Sequence, residues 1–274
     1  MIYKMIVLDL DDTLLRDDHT ISTRTKQALM EAQARGVKVV LASGRPTYGM
    51  KATAEELSLA EYGSYILSFN GGKIIDWQTK EEIFSSTLSF EEMRNLYELS
   101  KREGVYIHTY VGEEIITEDE NPYTTIESKL TGLPVKIVSS FLDGITEPVV
   151  KALMVDDPEK LKVVEVKLKA ELAEQHSVMR SKPYFLEFTE KGVTKGTSLG
   201  QLIERCGIKR EEVIAMGDSY NDQEMIEFAG LGVAMGNAPD DIKAVADYVT
   251  DTNNNHGVAK VVEEFILKDD LVRE

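Results

Sequence analysis

The feature that most constrains this chain is a short apolar run near its N-terminus that stops at three carboxylates. Residues Met5 to Leu8 read Met-Ile-Val-Leu, and Asp9, Asp11 and Asp12 follow within four positions. A continuous rather than alternating apolar run is typical of a strand buried on both faces, as in a parallel sheet covered by helices. The carboxylates then lie at the carboxyl end of the strand, the edge where open α/β sheets bind ligands.

Asp9 and Asp11 are two positions apart, so their side chains point to the same side if the backbone there is extended. Two neighbouring carboxylates repel each other and resist burial unless a cation, a proton or water relieves them. A helix N-cap is the alternative for Asp11 or Asp12, but a cap requires one acidic residue rather than three. The stretch therefore favours a cation-binding strand end.

The segments that follow alternate between helix and strand. A helix is predicted at about residues 22–35 and ends at Gly36, and strands are predicted at 37–42 and 64–69 with a helix starting near Thr47. This β-α-β-α-β alternation predicts parallel strands joined by right-handed crossovers.

The pattern changes in the middle of the chain and returns toward its C-terminus. Between residues 85 and 189 several predicted strands follow one another without an intervening helix, which indicates an α+β arrangement. A helix at about 195–206 and a strand at 213–216 then restore the alternation. We therefore expect a doubly wound, Rossmann-like α/β core formed by residues 1–84 and 190–274, with an α+β domain inserted at residues 85–189.

Composition restricts the partners and the compartment. The 274 residues include 31 Lys and Arg against 48 Asp and Glu, a formal net charge of −17. Nucleic acids and anionic membranes are therefore disfavoured as partners, because both require clustered cations. The apolar runs are too short to span a membrane, no signal peptide is recognisable, and Cys206 is the only cysteine. We expect a cytoplasmic monomer or weak homodimer without disulfides.

Four strand ends or helix starts carry polar side chains that would meet at one edge of the predicted sheet. They are Asp9 with Asp11, Ser43 with Gly44, Lys195, and Asp218 with Asn221 and Asp222. Each alone has a commoner structural explanation, such as a turn or a helix cap. Together, the four acids would repel one another, and a divalent cation resolves that repulsion. Oxygen ligands without a His or Cys cluster favour Mg²⁺ over zinc.

The same edge can also accept an anion, despite the net charge of −17. Mg²⁺ and Lys195 would reverse the local charge. Ser43 can donate a hydroxyl hydrogen bond, and backbone N–H groups near Gly44 can surround phosphate oxygens. The residues therefore point to a site for a phosphorylated small molecule.

These motifs resemble those of the haloacid dehalogenase superfamily, and above all its Cof-type phosphatases. They read DLDDTL from Asp9, ASGRP from Ala42, GVTKG from Gly192 and GDSYND from Gly217. Three further stretches are similar to that subfamily, namely FNGG from Phe69, PYFLE from Pro183 and GVAMGNA from Gly232. The commonest family pattern has Gly where this chain has Asp12, which we expect to lie outside the direct ligands.

The resemblance implies a phosphoric monoester hydrolase that works through an aspartyl-phosphate. Asp9 would attack phosphorus, and Asp11 would protonate the leaving alkoxide and then activate water. Mg²⁺ would be held by the carboxylates of Asp9 and Asp218 and the backbone carbonyl of Asp11. Asp222 would either support the metal site from behind the direct ligands or orient Lys195. The groups implied to hold phosphate are Ser43, Gly44, Lys195 and Asn221.

Two further residues lie within or beside these motifs. Thr13 is expected to orient Asp11 or the turn. Arg45 is open between a substrate contact and a structural salt bridge.

By the same resemblance, the position of the insertion indicates which type of cap it forms. It lies between Ser43 and Lys195, and in this superfamily that placement goes with a mixed α/β cap that covers the active site, excludes water and contacts the leaving group. Solvated surface or cap core is the commoner role for the residue types that are candidates for substrate contact. These candidates are His108, Tyr110, Arg180, Lys182 and Tyr184.

We therefore expect a Mg²⁺-dependent phosphatase that acts on small phosphorylated metabolites, sugar phosphates first. One alternative is a non-enzymatic phosphoacceptor resembling a response-regulator receiver, which has no cap. Another is a phosphomutase of the phosphomannomutase type, which would isomerise its substrate rather than release phosphate. A hydrolytic dehalogenase is disfavoured, because Asp11, Asp218 and Asp222 suit Mg²⁺ chemistry that it does not use.

Overall fold

The structure of the chain, a computed structural model, describes residues 3–268. Its strands are β1 Met5–Leu8, β2 Lys38–Ala42, β3 Tyr65–Ser68, β4 Lys73–Asp76, β5 Glu82–Ser85, β6 Tyr106–Val111, β7 Glu114–Thr117, β8 Val135–Ile137, β9 Lys151–Val155, β10 His176–Lys182, β11 Phe185–Glu190, β12 Val213–Gly217, β13 Leu231–Ala234 and β14 Tyr248–Val249. Its α-helices are α1 Thr23–Ala34, α2 Lys51–Glu56, α3 Phe90–Glu103, α4 Pro122–Thr131, α5 Phe141–Gly144, α6 Pro158–Leu172, α7 Lys195–Cys206, α8 Gln223–Phe228, α9 Asp240–Val245 and α10 Gly257–Val262.

These elements form two compact units. One consists of the chain up to Phe84 together with the chain from Thr194 onward, and the other is Ser85–Val193. The second unit begins at Ser85 and ends at Val193, three residues after the end of β11 at Glu190. Among the described residues, no helix combines the length and the apolar character that crossing a membrane requires.

The first unit is built on an eight-stranded sheet in the order β14-β13-β12-β1-β2-β3-β4-β5. The six strands from β14 to β3 are parallel, and β4 runs antiparallel to β3. All four residues of β1 are fully buried, with Ile6 and Leu8 in one apolar cluster and Met5 and Val7 in another. Clusters on both faces confirm the doubly wound α/β core that the continuous apolar run predicts.

The second unit is built on a six-stranded sheet in the order β10-β11-β9-β6-β7-β8. Its pairs are antiparallel except for β7 with β8. One apolar cluster combines residues of this sheet with residues of α3, α5 and α6. Helix α4 contacts the sheet through polar groups, with His108 Nδ1 2.9 Å from Thr124 Oγ1. The unit therefore has an α+β arrangement, in which α4 contacts the sheet through polar side chains.

Helix α4 is difficult to recognise in the sequence, although its ends carry standard signals. Asn121 caps it by accepting from Thr124 N at 2.7 Å, Pro122 is its first residue, and Gly132 follows it with φ +76°. Its buried residues are Thr124, Glu127 and Thr131, so the helix lacks the apolar periodicity on which the prediction depends.

Candidate active site

Three of the predicted motifs lie at the carboxyl ends of neighbouring strands. Asp9 follows β1, Ser43 follows β2 and Asp218 follows β12. Strand β1 pairs in parallel with both neighbours, and Leu8 is in register with Leu41 and with Met216. Because adjacent strands are about 4.8 Å apart, these residues share one edge of the sheet.

The chain leaves β1 through a tight turn at Leu10–Leu14. Asp9 N donates to Met216 O at 3.0 Å, which holds the start of the turn against β12. Asp12 lies in the turn with φ +62°, a left-handed conformation that Asp tolerates better than most residues but that favours glycine. The turn therefore explains why Gly suits the position that Asp12 occupies.

Lys195 is the first residue of α7, and its side chain is completely buried between two carboxylates. Its Nζ donates to Asp9 Oδ1 at 2.5 Å and to Asp222 Oδ1 at 2.6 Å. The helix start is fixed by Thr194, whose hydroxyl accepts from Thr197 N at 3.1 Å. The cap thus determines where α7 begins and where the ammonium group lies.

Asp222 has both carboxylate oxygens engaged by protein donors. Besides the bond from Lys195, its Oδ2 accepts from the backbone N–H groups of Asp218 and Ser219, each at 3.0 Å. Gly217 makes this approach possible, because a Cβ there would lie 2.4 Å from Asp222 Cβ. Of the two roles that the sequence leaves open for Asp222, this geometry favours orienting Lys195.

Asp218 is partly buried, and its Oδ1 accepts from Thr13 Oγ1 at 2.8 Å. Of the two roles expected for Thr13, orienting Asp11 or orienting the turn, this bond supports the second, because it ties the turn to Asp218. Carboxylate oxygens of Asp9, Asp218 and Asp222 all lie within 4.8 Å of one another. Three of the four predicted acids therefore converge.

The charges in this cluster do not balance. Burial and the nearby charge of Asp222 raise the pKa of Asp9 well above its ordinary value, against the opposing effect of Lys195. Burial also raises the pKa of Asp218 to about 7, although the hydrogen bond from Thr13 opposes the shift. The pKa of Lys195 is raised, since its two carboxylate partners outweigh the burial that lowers it. Three ionised carboxylates beside one ammonium group would carry an excess of negative charge, and the raised pKa values of Asp9 and Asp218 reflect this imbalance.

A divalent cation would correct this imbalance, and the donor set fits one. The available atoms are carboxylate oxygens, which Mg²⁺ prefers, and within residues 3–268 neither His nor Cys joins the cluster. The fit to Mg²⁺ rests on this chemistry and on the three converging carboxylates.

The fourth predicted acid, Asp11, does not bring its carboxylate into the cluster. It forms an ion pair with Arg45, whose Nη2 lies 2.5 Å from Asp11 Oδ1. The prediction that four carboxylates meet is wrong for this side chain, because the turn that begins at Leu10 leaves Asp11 exposed beside the guanidinium group. Of the two roles left open for Arg45, the structure shows the salt bridge.

Two side chains predicted to bind phosphate, Ser43 and Asn221, contact other groups of the protein. Ser43 is buried, and its Oγ accepts from Arg45 N at 3.2 Å. Asn221 Nδ2 donates to Asn70 Oδ1 at 3.0 Å. Sequence reasoning gives Asn70 no functional role, although the similarity of Phe69 to Gly72 to the subfamily was a signal.

The candidate contacts in the second unit are mostly internal. His108 is fully buried, and burial lowers its pKa to about 3. Tyr110 is buried and its hydroxyl donates to Glu127. Arg180 pairs with Glu165 at 3.1 Å. His108 and Tyr110 therefore belong to the interior of this unit, the commoner of the two roles considered.

Tyr184 and Lys182 lie nearer the surface of the second unit. Tyr184 is half-buried, and its ring stacks on that of Tyr123 with the centroids 6.1 Å apart. Lys182, at the end of β10, is exposed. The candidates with accessible side chains are therefore Lys182, Tyr184 and Arg180, whose side chain is 27% exposed beside Glu165.

Comparison with known proteins gives a consistent set of similarities. A family model of haloacid dehalogenase-like hydrolases matches residues 6–262. The 5-amino-6-(5-phospho-D-ribitylamino)uracil phosphatase YcsE of Bacillus subtilis is 32% identical over 265 residues, which cover 96% of either chain. A haloacid dehalogenase-like hydrolase from Bacteroides thetaiotaomicron has a TM-score of 0.90 at 47% identity, over 95% of this chain and 98% of that one. The HAD subclass IIB sugar phosphatase BT4131 has a TM-score of 0.80 at 29% identity, over 96% and 98%.

Proposed function

Because this chain belongs to the haloacid dehalogenase-like hydrolases and is a phosphatase of that family, we propose that it hydrolyses small phosphorylated metabolites, sugar phosphates first, with Mg²⁺ and an aspartyl-phosphate intermediate. The observation that carries the proposal is the buried contact of Asp9 with Lys195 beside Asp218. The similarity to a protein described as a sugar phosphatase supports the substrate class.

Mg²⁺ would be held by the carboxylates of Asp9 and Asp218 and by the backbone carbonyl of Asp11. When bound, it supplies positive charge that offsets the carboxylates and the phosphate oxygens. Asp222 needs no direct metal contact in this assignment, because its oxygens already accept from Lys195 and from two backbone N–H groups.

The first half of the reaction transfers the phosphoryl group to the protein. A carboxylate oxygen of Asp9 attacks phosphorus while the bond from phosphorus to the ester oxygen breaks, and Asp11 gives its proton to the departing alkoxide. Lys195 holds the nucleophile in place, since its Nζ lies 2.5 Å from Asp9 Oδ1, and contributes positive charge to the phosphate oxygens.

The second half releases inorganic phosphate. Asp11, now ionised, takes a proton from water as the water oxygen attacks phosphorus, and the bond from phosphorus to Asp9 breaks. Ser43, the backbone N–H of Gly44 and the side chain of Asn221 hold the phosphate oxygens in both halves. We also propose that the unit Ser85–Val193 determines which ester is accepted.

The decisive experiment compares Asp9→Asn with Asp12→Asn. Both change an acid of the same turn to its amide, but Asp12 is exposed and has no role in the proposed chemistry. We expect Asp9→Asn to abolish phosphate release from p-nitrophenyl phosphate and Asp12→Asn to retain it, with cooperative thermal unfolding in both. Near wild-type hydrolysis by Asp9→Asn overturns the mechanism.

A substrate panel separates the proposed activity from its alternatives. The panel contains phosphorylated sugars, nucleotides and 5-amino-6-(5-phospho-D-ribitylamino)uracil, each assayed with Mg²⁺ and with EDTA. Multiple turnovers of phosphate release in Mg²⁺ alone support the proposal. A single turnover identifies a phosphoacceptor, and an isomerised sugar phosphate without free phosphate identifies a phosphomutase.

A further inference from the structure

The turn Phe69 to Gly72, which follows β3, has an unusual backbone. Three consecutive residues adopt positive φ angles, +54° for Phe69, +58° for Asn70 and +93° for Gly71. Residues other than glycine rarely adopt this conformation, and such conformations cluster at functional sites where the surrounding structure enforces them. The turn therefore requires a structural reason, and its contacts supply one.

The backbone of this turn joins two of the motifs at the active site. Asn70 N donates to Ser43 O at 2.9 Å, which ties the turn to the end of β2. On the other side, Ser198 Oγ of α7 donates to Gly71 O at 2.8 Å. A Cβ at Gly71 would lie 2.5 Å from Ser198 Oγ and from Thr194 O, so only glycine permits this approach.

The side chain of Asn70 contacts Asn221 in the GDSYND motif and lies against Gly44 in the ASGRP motif. Its Oδ1 accepts from Asn221 Nδ2 at 3.0 Å. A Cβ placed on Gly44 would lie 3.2 Å from Asn70 Oδ1 and 3.3 Å from its Nδ2. The amide of Asn70 thus lies beside the two groups, Gly44 and Asn221, to which the proposed function assigns phosphate binding.

We propose that Asn70 is a positioning residue for phosphate binding that acts through Asn221, an inference that rests on the proposed function. Asn221 Nδ2 carries two N–H bonds, and the bond to Asn70 Oδ1 uses one of them. That bond fixes the orientation of the Asn221 amide and therefore the direction of its second N–H. The side chain then loses little rotamer entropy when phosphate binds. The strained turn places Asn70 where this contact is possible.

The test removes the Asn70 side chain without disturbing the backbone. Asn70→Gly suits a φ of +58°, because glycine adopts that conformation freely. Ser58→Gly is the matched control, since Ser58 also has a positive φ, of +51°, and lies outside the four motifs. The readouts are kcat, KM and the inhibition constant of inorganic phosphate, measured in wild-type and Asn221→Ala backgrounds.

We expect Asn70→Gly to raise the inhibition constant of phosphate and KM about fivefold, the size of one neutral hydrogen bond, with kcat changed less than twofold. In the Asn221→Ala background the same substitution should have no further effect, because the residue through which it acts is gone. Ser58→Gly should leave all three constants unchanged.

Several results would overturn the inference. They are an unchanged inhibition constant in Asn70→Gly, an equal loss in both backgrounds, or an Asn221→Ala variant that binds phosphate as wild type does. If Asn70→Gly does not fold, Asn70→Ser replaces it, because the shorter side chain loses the contact with Asn221 Nδ2, and the same dependence on Asn221 is expected. The Asp9→Asn variant tests the proposed function separately. If that variant releases no phosphate, the proposed function stands even when one of these results overturns the role of Asn70.

Discussion

Arg45 donates two hydrogen bonds to the carboxylate of Asp11, from Nε to Oδ2 at 2.9 Å and from Nη2 to Oδ1 at 2.5 Å. Its Nη1 also donates to Gly49 O at 3.2 Å, so the guanidinium group is held from a second direction. A bidentate pair of this kind fixes the orientation of the carboxylate as well as its position. Asp11 is the proposed general acid and base, and Arg45 fixes the position of its carboxylate in this structure.

We predict that Arg45→Ala impairs poor leaving groups more than good ones. With an alkyl phosphate, which needs a proton on the departing oxygen, kcat/KM should fall about tenfold, while p-nitrophenyl phosphate should lose about twofold. Asp11→Asn should show the same ordering with larger losses, and Arg45→Lys should lie between, because lysine cannot form the bidentate pair. Equal losses on both substrates would contradict the assignment.

Replacing Lys195 should destabilise the fold as well as remove activity. Lys195→Met leaves the buried carboxylates of Asp9 and Asp222 without their common cation, which we expect to cost about 3 kcal/mol of unfolding free energy at pH 8. Urea titration in EDTA measures it. Lys191→Met is the control, because its pair with Glu174 is exposed and should change stability by less than about 0.5 kcal/mol. Equal stability of the two variants would refute the expectation.

The raised pKa of Asp218 predicts how stability depends on pH without metal. A carboxyl whose pKa rises from 3.8 when unfolded to about 7 when folded stabilises the protein fully below pH 3.8 and loses that contribution as the pH rises through 7. The Tm of EDTA-treated protein should therefore be lower at pH 8 than at pH 5.5.

The same shift predicts a pH-dependent response to Mg²⁺. Protons compete with the cation for Asp218 at pH 5.5 but much less at pH 8, so Mg²⁺ should raise Tm more at the higher pH. Thermal unfolding with Mg²⁺ and with EDTA at both pH values measures this. Asp218→Asn should flatten the difference, and an identical Tm gain at both pH values would count against a metal at this carboxylate.

The left-handed backbone at Asp12 predicts which residues its position accepts. Asp12→Gly should be neutral or slightly stabilising, because glycine adopts a φ of +62° without strain. Asp12→Val should cost about 1–2 kcal/mol, since a β-branched side chain is strained there. Denaturant unfolding of both variants checks this, and a Val variant as stable as the Gly variant would show that the turn adopts another conformation.

The sequence predicts most of the first unit because its elements carry strong local signals. Helix α7 is predicted at residues 195–206 and found at Lys195–Cys206, since Thr194 caps its start and Gly207, with φ +63°, follows its end. Strand β1 is evident from four consecutive apolar residues. The second unit is harder to predict, because α4 buries threonine and glutamate side chains, and no apolar period marks it.

The sequence predicts which residues of the site share an edge of the sheet, but not the contacts that their side chains make. Parallel strands predict that Asp9 and Asp218 share an edge, and the structure places their carboxylates within 4.8 Å. The direction of a side chain after a turn is not encoded by strand order, so the sequence allows a salt bridge of Arg45 but does not identify Asp11 as its partner. The contact of Asn70 with Asn221 joins residues 151 positions apart, and although both segments resemble family motifs, neither segment indicates that the two side chains meet.

The order of the central sheet has a consequence for how the protein is made. Strand β1 lies between β2 and β12, and β12 begins only at Val213. On the ribosome, the N-terminal half emerges with one side of an entirely apolar strand unpaired, which is a template for aggregation until most of the chain has been translated. The nascent polypeptide therefore lacks both a complete central sheet and a complete active site until β12 has been synthesised.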